Sequence, residues 1–302
     1  MKKIIAILLT LVLVVGAFAS CGGTSTEETT AAGDAANLTA TEGVLVMATN
    51  AAFPPYEFKE GDDFAGIDVE IAGKIAEKLG MTLEIQDVEF GSIIGGVQTG
   101  KFDMGMAGMT VTDERLESVN FSTSYATGIQ VVIVKEDSAI SSLDDLLADG
   151  SMKYGVQQDT TGDIYASDTA ENGGYGEDNV IRYKTGAEAV MALQADKVDA
   201  VIIDNEPAKS FVAANEGLRI LEAEWAVEDY AIAIAKENTA LLDAINGALA
   251  ELTADGTVAD IIAKYIPTEA TDETTEAADE TTEAVADETT EAVADETTEA
   301  AA

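Results

Sequence analysis

Between residues 43 and 267 the sequence changes period again and again, and this alternation restricts the fold more than any other feature. Apolar runs of strand length over 44–48, 81–85 and 103–107 alternate with stretches whose apolar residues recur every three or four positions. Ile71, Ala72, Ile75, Ala76 and Leu79 share one helical face. Asp68 is placed to cap that helix, Glu70 falls in its positive first turn, and Gly80 can close it. Phe90, Ile93, Ile94 and Val97 line another helix ending at Gly100, in which Gly95 and Gly96 each cost about 1 kcal/mol relative to alanine. A second series has strands over 130–134, 154–156 and 199–203, with helices over 143–147 and 185–194. A last strand, 231–235, precedes helices over 241–252 and 258–265. Strands alternating with helices predict an α/β protein with mostly parallel sheets, and two similar series predict two lobes.

The ends have a different character. Residues 1–20 carry Lys2 and Lys3 before an apolar run, the pattern of a secretory signal peptide. The run ends in Phe18-Ala19-Ser20-Cys21, which resembles the bacterial lipoprotein box, although Phe18 stands where leucine is usual. That resemblance implies lipidation (palmitate and a diacylglyceryl group) of Cys21 and attachment to the outer side of the cell membrane, with two chains giving a stable anchor. Residues 21–42, rich in Thr, Ala and Glu, read as a flexible tether. Residues 268–302 repeat the unit D-E-T-T-E-A from Asp272, Asp279, Asp287 and Asp295 and hold 13 acids, no base and no aromatic residue. Such a segment cannot bury enough apolar surface to offset ordering entropy, and a disordered acidic tail is predicted.

Charge and residue inventory then exclude several functions. The formal charge of −41 includes −2 from residues 1–42 and −13 from the tail, leaving −26 on the core. A surface of that sign repels phosphates, so nucleic acid is not an expected partner. The chain contains no histidine and a single cysteine, which removes the commonest general base, the commonest metal ligand and any disulfide framework. No metal or cofactor is expected, and no catalytic residue is assigned.

A specific signature begins at Gly66. The run Gly66-Ile67-Asp68-Val69-Glu70-Ile71, followed by Ile75-Ala76 and Leu79, resembles the bacterial extracellular solute-binding family 3, the polar amino-acid binding proteins of ABC importers. Four further segments follow in that family's order: ATNAAFPPYEF (48–58), AGMTVTDER (107–115), GVQQDTTGDIYA (155–166) and VDAVIIDNEP (198–207). The resemblance covers essentially all of 43–267. It implies a two-lobed clamp with two hinge crossovers, of the periplasmic-binding-protein or Venus flytrap type. Its first lobe is expected over 43–128, the second over 129–225, and a return to the first over 226–267. Permease and ATPase subunits are the implied partners, and a monomer is expected.

A free amino acid brings a carboxylate, an ammonium and a side chain, and a cleft that takes it from water must pair both charges. The core contains three arginines, Arg115, Arg182 and Arg219. Arg115 ends the Thr-x-Thr-Asp-Glu-Arg run just after a strand, where its guanidinium can grip a carboxylate through two parallel hydrogen bonds. By resemblance Arg115 is the carboxylate ligand and Thr110 a hydroxyl partner, with neighbouring backbone at Gly108 supplying a donor. The alternative is a surface arginine pairing with Asp113 or Glu114. Asp204 follows an apolar strand and by resemblance accepts the ammonium; the alternative is an N-cap for the helix starting near Pro207. Thr160 and Thr161 are implied to offer hydroxyl and N–H groups from the second lobe, where Asp159 departs from the small residue expected. Phe53 and Phe90 match positions that sandwich the ligand side chain, and the alternative for each is an ordinary core aromatic.

Asn50, three residues before Phe53, stands where relatives that prefer basic amino acids often have aspartate. Its uncharged amide predicts a neutral polar ligand, glutamine first, with arginine as the alternative through cation–π contact. Two other functional classes remain open at this stage. An enzyme such as a dehydratase can use the same scaffold, but the sequence shows no recognisable carboxylate-pair motif. A surface-anchored structural or adhesive lipoprotein would fit the anchor and the acidic tail.

Overall fold

The computed structural model describes residues 38–148, 150–221 and 225–267. The signal sequence, Cys21, most of the tether and the acidic repeat lie outside the described residues. Every element below belongs to the compact unit that ends at Ile266.

Two mixed sheets organise the chain. The first runs in the order 82–87, 44–49, 104–105, 233–235, 119–121. Its first three strands are parallel, and the strand that returns late in the chain, Ala233–Ala235, is antiparallel to both neighbours. The second sheet runs 180–183, 154–157, 200–204, 126–135, 218–220, and Ala226–Tyr230 pairs with the first half of the long strand Ala126–Lys135. Here too the βαβ part is parallel, and the long strand is antiparallel to its partners. A small third sheet, Ala52–Phe53, Glu57–Glu60 and Asp63–Ala65, folds out of the proline-rich loop.

The helices explain how these sheets are covered. Helix Ile67–Lys78 buries Ile67, Ile71, Ala72, Ile75 and Ala76 along one face, as the spacing predicts. Its cap is Gly66, which makes no side-chain capping bond; Asp68 sits two residues further on, within the first turn, and is fully buried, so the predicted capping role is replaced by another. Gly66 has φ of 122°, and a Cβ there would stand 2.2 Å from the Tyr56 carbonyl oxygen, which accounts for glycine opening the motif. Helices Thr239–Ala254 and Thr257–Tyr265 return to pack on helix Ile67–Lys78.

The chain passes between the two large sheets twice, from Phe121 to Ala126 and from Tyr230 to Ala233. These crossovers run side by side. Ser122 N–H donates to the Ile232 carbonyl (2.9 Å), Ile232 N–H to Ser122 Oγ (3.0 Å), and Tyr125 N–H to the Tyr230 carbonyl (3.0 Å). Hydrogen bonding therefore assigns both 126–130 and 226–230 to the second sheet, and the change of sheet falls within 122–125 and 231–232.

Candidate functional site

A narrow cavity lies where the two sheets meet. Asn50, Phe53, Phe90, Gly108, Thr110, Arg115, Thr160, Thr161 and Asp204 all line it, together with Glu57, Ala107 and Gln157. The residues named from the sequence are thus brought together from five separate segments.

Arg115 is buried in the first turn of the short helix Asp113–Ser118, whose start is fixed by Thr112 Oγ1 accepting from Arg115 N–H (3.2 Å). Its guanidinium donates to the Thr110 carbonyl (2.7 Å) and, across the cavity mouth, to the Asp159 carbonyl (3.0 Å). Phe90 lies beneath it, 5.3 Å from ring centre to guanidinium carbon. Among the described residues no carboxylate is within ion-pair distance of this guanidinium, so neither Asp113 nor Glu114 pairs with it. Burial pulls its pKa downward, and the more distant Glu228 and Asp204 oppose the effect. A buried guanidinium held only by carbonyls retains its appetite for an anion.

Asp204 stands on the opposite wall at the end of strand Ala200–Asp204. It occupies the cap position of helix Asn205–Ala214 but its side chain makes no capping bond. Instead the carboxylate accepts from the Tyr230 hydroxyl. Burial, and then the neighbouring Glu228, push its pKa up to about 7. Glu228 is itself buried; its Oε2 accepts from Thr110 Oγ1 (3.0 Å) and Gln130 Nε2 (3.1 Å), while Oε1 has no partner. Gln130 also reaches Thr161 Oγ1 (3.4 Å). Thr160 caps helix Thr161–Ser167, its hydroxyl accepting from Asp163 N–H (3.3 Å) and donating to the Gln157 carbonyl (2.8 Å). Asp159, beside it, has φ of 65°, a conformation that aspartate tolerates better than most residues.

The side-chain end of the cavity differs from the sequence expectation. Asn50 lines it, but its amide is engaged: Nδ2 donates to the Val88 carbonyl (2.8 Å) and Oδ1 accepts from Gln157 Nε2 (3.0 Å). Asn50 therefore ties the two walls together rather than presenting a free tip. Phe53 stacks on Tyr56 with centroids 5.9 Å apart, and Gly108 lies against its edge, where a Cβ would come within 2.9 Å of the ring. Gly108 N–H donates to Asp68 Oδ2 (2.8 Å), which also accepts from the Tyr125 hydroxyl (2.9 Å).

Glu57 is the group that sequence reasoning missed. It lines the cavity, is 1% exposed, and its Oε2 has no hydrogen-bond partner. Its carboxyl meets that of Asp68, whose Oδ1 is likewise unpartnered. Burial foremost, then Asp68, pushes Glu57 well above the usual carboxylate range; burial raises Asp68 to about 7 against the bonds from Gly108 and Tyr125. The fold thus makes a carboxyl pair that no sequence motif announces. Its only local signal was an acid between two aromatic residues in a loop that carries other site residues.

Two lobes built on mixed sheets, joined by two adjacent crossovers around a polar cavity, are the architecture of two-lobed solute-binding proteins. Residues 45–268 match the bacterial extracellular solute-binding proteins, family 3, and the chain belongs to that family. It is 32% identical to the arginine-binding extracellular protein ArtP of Bacillus subtilis over 228 residues, 74% of this chain and 87% of the relative. An ancestral arginine-binding protein bound to arginine superposes with a TM-score of 0.68 at 37% identity, covering 74% of this chain and 98% of that one. An ancestral arginine-binding protein bound to glutamine gives a TM-score of 0.68 at 36% identity, covering 75% and 99%.

Proposed function

We propose that this protein is the substrate-binding lipoprotein of an ABC importer, which captures a free amino acid between its lobes and delivers it to the permease. The observation that carries the reading is the pair of opposed, incompletely matched charges in one cavity. Arg115 is held by carbonyls alone, and Asp204 lines the same cavity, backed by the buried Glu228, with no cation within ion-pair distance of either acid among the described residues. A zwitterion supplies both missing counter-charges at once, its carboxylate to Arg115 and its ammonium to Asp204.

Glu57 at the far end favours a side chain that ends in a cation, and Phe53 and Phe90 offer flat faces to its stem. Arginine is the preferred ligand on this reading and glutamine the second. The arginine-binding relatives support this order, and the ancestral pair bound to arginine and to glutamine supports keeping both. Closure of the lobes, through rotation at residues 122–125 and 231–232, makes the contacts of Arg115 with Asp159 and of Asn50 with Gln157. Lys184 Nζ and Glu89 Oε1 (2.5 Å) add an exposed contact between the lobes. Processing at Cys21 would hold this clamp at the membrane surface.

The test is a thermal-shift screen against all L-amino acids, followed by calorimetry. A ligand at 100 times its dissociation constant adds about 2.7 kcal/mol, or roughly 5–10 °C for a chain of this size. No shift above about 1 °C with any amino acid would reject the reading, and conversion of the ligand to a product would replace it with an enzymatic one.

A further inference from the structure

Glu57 and Asp68 come from different elements, the strand Glu57–Glu60 and the helix Ile67–Lys78, yet their carboxyls meet in a place that water does not reach. Glu57 Oε2 and Asp68 Oδ1 are both fully buried and receive no donor from any other described residue, so the two carboxyls have only each other as partners there. The other groups around the pair give it no positive charge. Tyr56 and Tyr125 are neutral, Asp204 is a further acid facing Glu57, and Glu206 faces Tyr56. Arg115, the cation lining the same cavity, is directed to the Thr110 and Asp159 carbonyls and makes no contact with this pair. Two carboxylates in contact at low dielectric cannot both be ionised without a counter-charge, so protons occupy the pair.

We propose that Glu57 and Asp68 form a proton-loaded acceptor for a cationic side-chain tip, in which Asp68, out of reach of the ligand, acts through Glu57 to separate cationic from neutral amino acids. This rests on the reading of the cavity as an amino-acid site and adds a regulation to it. Asp68 keeps its proton below about pH 7, and Glu57, held well above the usual carboxylate range, carries another. When a guanidinium docks on the cavity-facing side of the Glu57 carboxyl, one proton leaves to solvent, the pair becomes a monoanion, and the ligand cation balances it. Above that pH the pair already holds a single proton. Docking then shifts it across the contact from Glu57 to Asp68, with none released. Glutamine, whose amide can accept from a protonated Glu57, takes its place without displacing a proton from the pair. Asp204 also ionises when it meets the ligand ammonium, but that proton is common to both ligands.

Titration calorimetry of the intact chain with arginine and with glutamine, each in two buffers of different ionisation enthalpy, counts the protons released. At pH 6 arginine should release close to one proton more than glutamine, and at pH 8 the two should match. From pH 8 to pH 6 the affinity for arginine should fall about tenfold more than that for glutamine. In Asp68→Asn the amide keeps an acceptor for Gly108 and Tyr125 and donates to Glu57, which ionises; the excess proton should vanish. Glu57→Gln provides a second variant, in which arginine should weaken more than glutamine and again show no excess proton. Equal proton counts for the two ligands at pH 6 in the unmodified protein overturn the proposal alone. If neither ligand binds while another amino acid does, the side-chain assignment falls with it.

Discussion

Replacing Asp204 by asparagine separates what this carboxylate does to the fold from what it does for a ligand. In the ligand-free protein its pKa is raised from 3.8 to about 7, by burial and by Glu228. The folded state therefore holds the proton more tightly than the unfolded chain. Stability from this group is complete below pH 4 and is lost as pH rises through 7. Each tenfold change in proton affinity is worth about 1.4 kcal/mol, so the loss is on the order of 1 to 2 kcal/mol at pH 5 and about 4 kcal/mol at pH 8. Asparagine cannot ionise, yet its carbonyl can still accept from the Tyr230 hydroxyl. Ligand-free Asp204→Asn should consequently melt above the parent, by as much as about 8–16 °C at pH 8 and about 3–6 °C at pH 5. The same change leaves a bound ammonium without its anion, which should cost about 2–5 kcal/mol of binding, on the order of 30- to 5,000-fold in dissociation constant. Scanning calorimetry at the two pH values and titration with the best ligand give both numbers. A variant that melts below the parent at pH 8, or that binds within threefold of it, refutes the argument.

Arg115→Ala should lose a similar 2–5 kcal/mol of binding, and Arg115→Lys should recover only part of it, because an ammonium cannot reach the Thr110 and Asp159 carbonyls and a carboxylate together. Calorimetry checks both, and full recovery by lysine would mean that charge alone matters. A chain stopped at Pro267 should bind with unchanged affinity, since an acidic repeat has no reason to pack on a core of its own sign; a tenfold loss would contradict this. Cys21→Ala should abolish lipid attachment, read by labelling with a fatty-acid analogue and by fractionation, and membrane retention equal to the parent would count against the lipoprotein assignment.

The parts of the fold that periodicity revealed are those whose surroundings are uniformly apolar. Helix Ile67–Lys78 has a core on one side and solvent on the other, so its sequence carries a clean stripe. Strand Ala226–Tyr230 escaped notice because it borders the polar cavity, and its alternation is inverted: Val227 is 71% exposed while Glu228 is 4% exposed. A reader of local pattern turns such a strand the wrong way or ignores it. Helix Thr161–Ser167 was hidden for a different reason. Its start is fixed by the Thr160 hydroxyl on Asp163 N–H, and Gly162 within it presses on Gln130 and Ile202, which no helical stripe would record.

The site shows the same division between what a motif carries and what only packing creates. Arg115, Thr110, Gly108 and Asp204 stand in runs that resemble those of the family, so the resemblance named them before the fold brought them to one cavity. Glu57 is one of 57 acidic residues, and nothing local distinguishes it. Its character comes from helix Ile67–Lys78 laying Asp68 against it and from Tyr56 and Tyr230 excluding water nearby. Asn50 shows the converse: its position suggested a role at the ligand tip, but the Val88 carbonyl and the Gln157 amide claim its polar atoms first. The charge of a side chain can be read from the sequence, whereas its availability depends on which neighbours the fold supplies. On the function proposed above, that difference moves the side-chain end of the site from an uncharged amide to a buried carboxyl pair, and with it the proposed first ligand from glutamine to arginine.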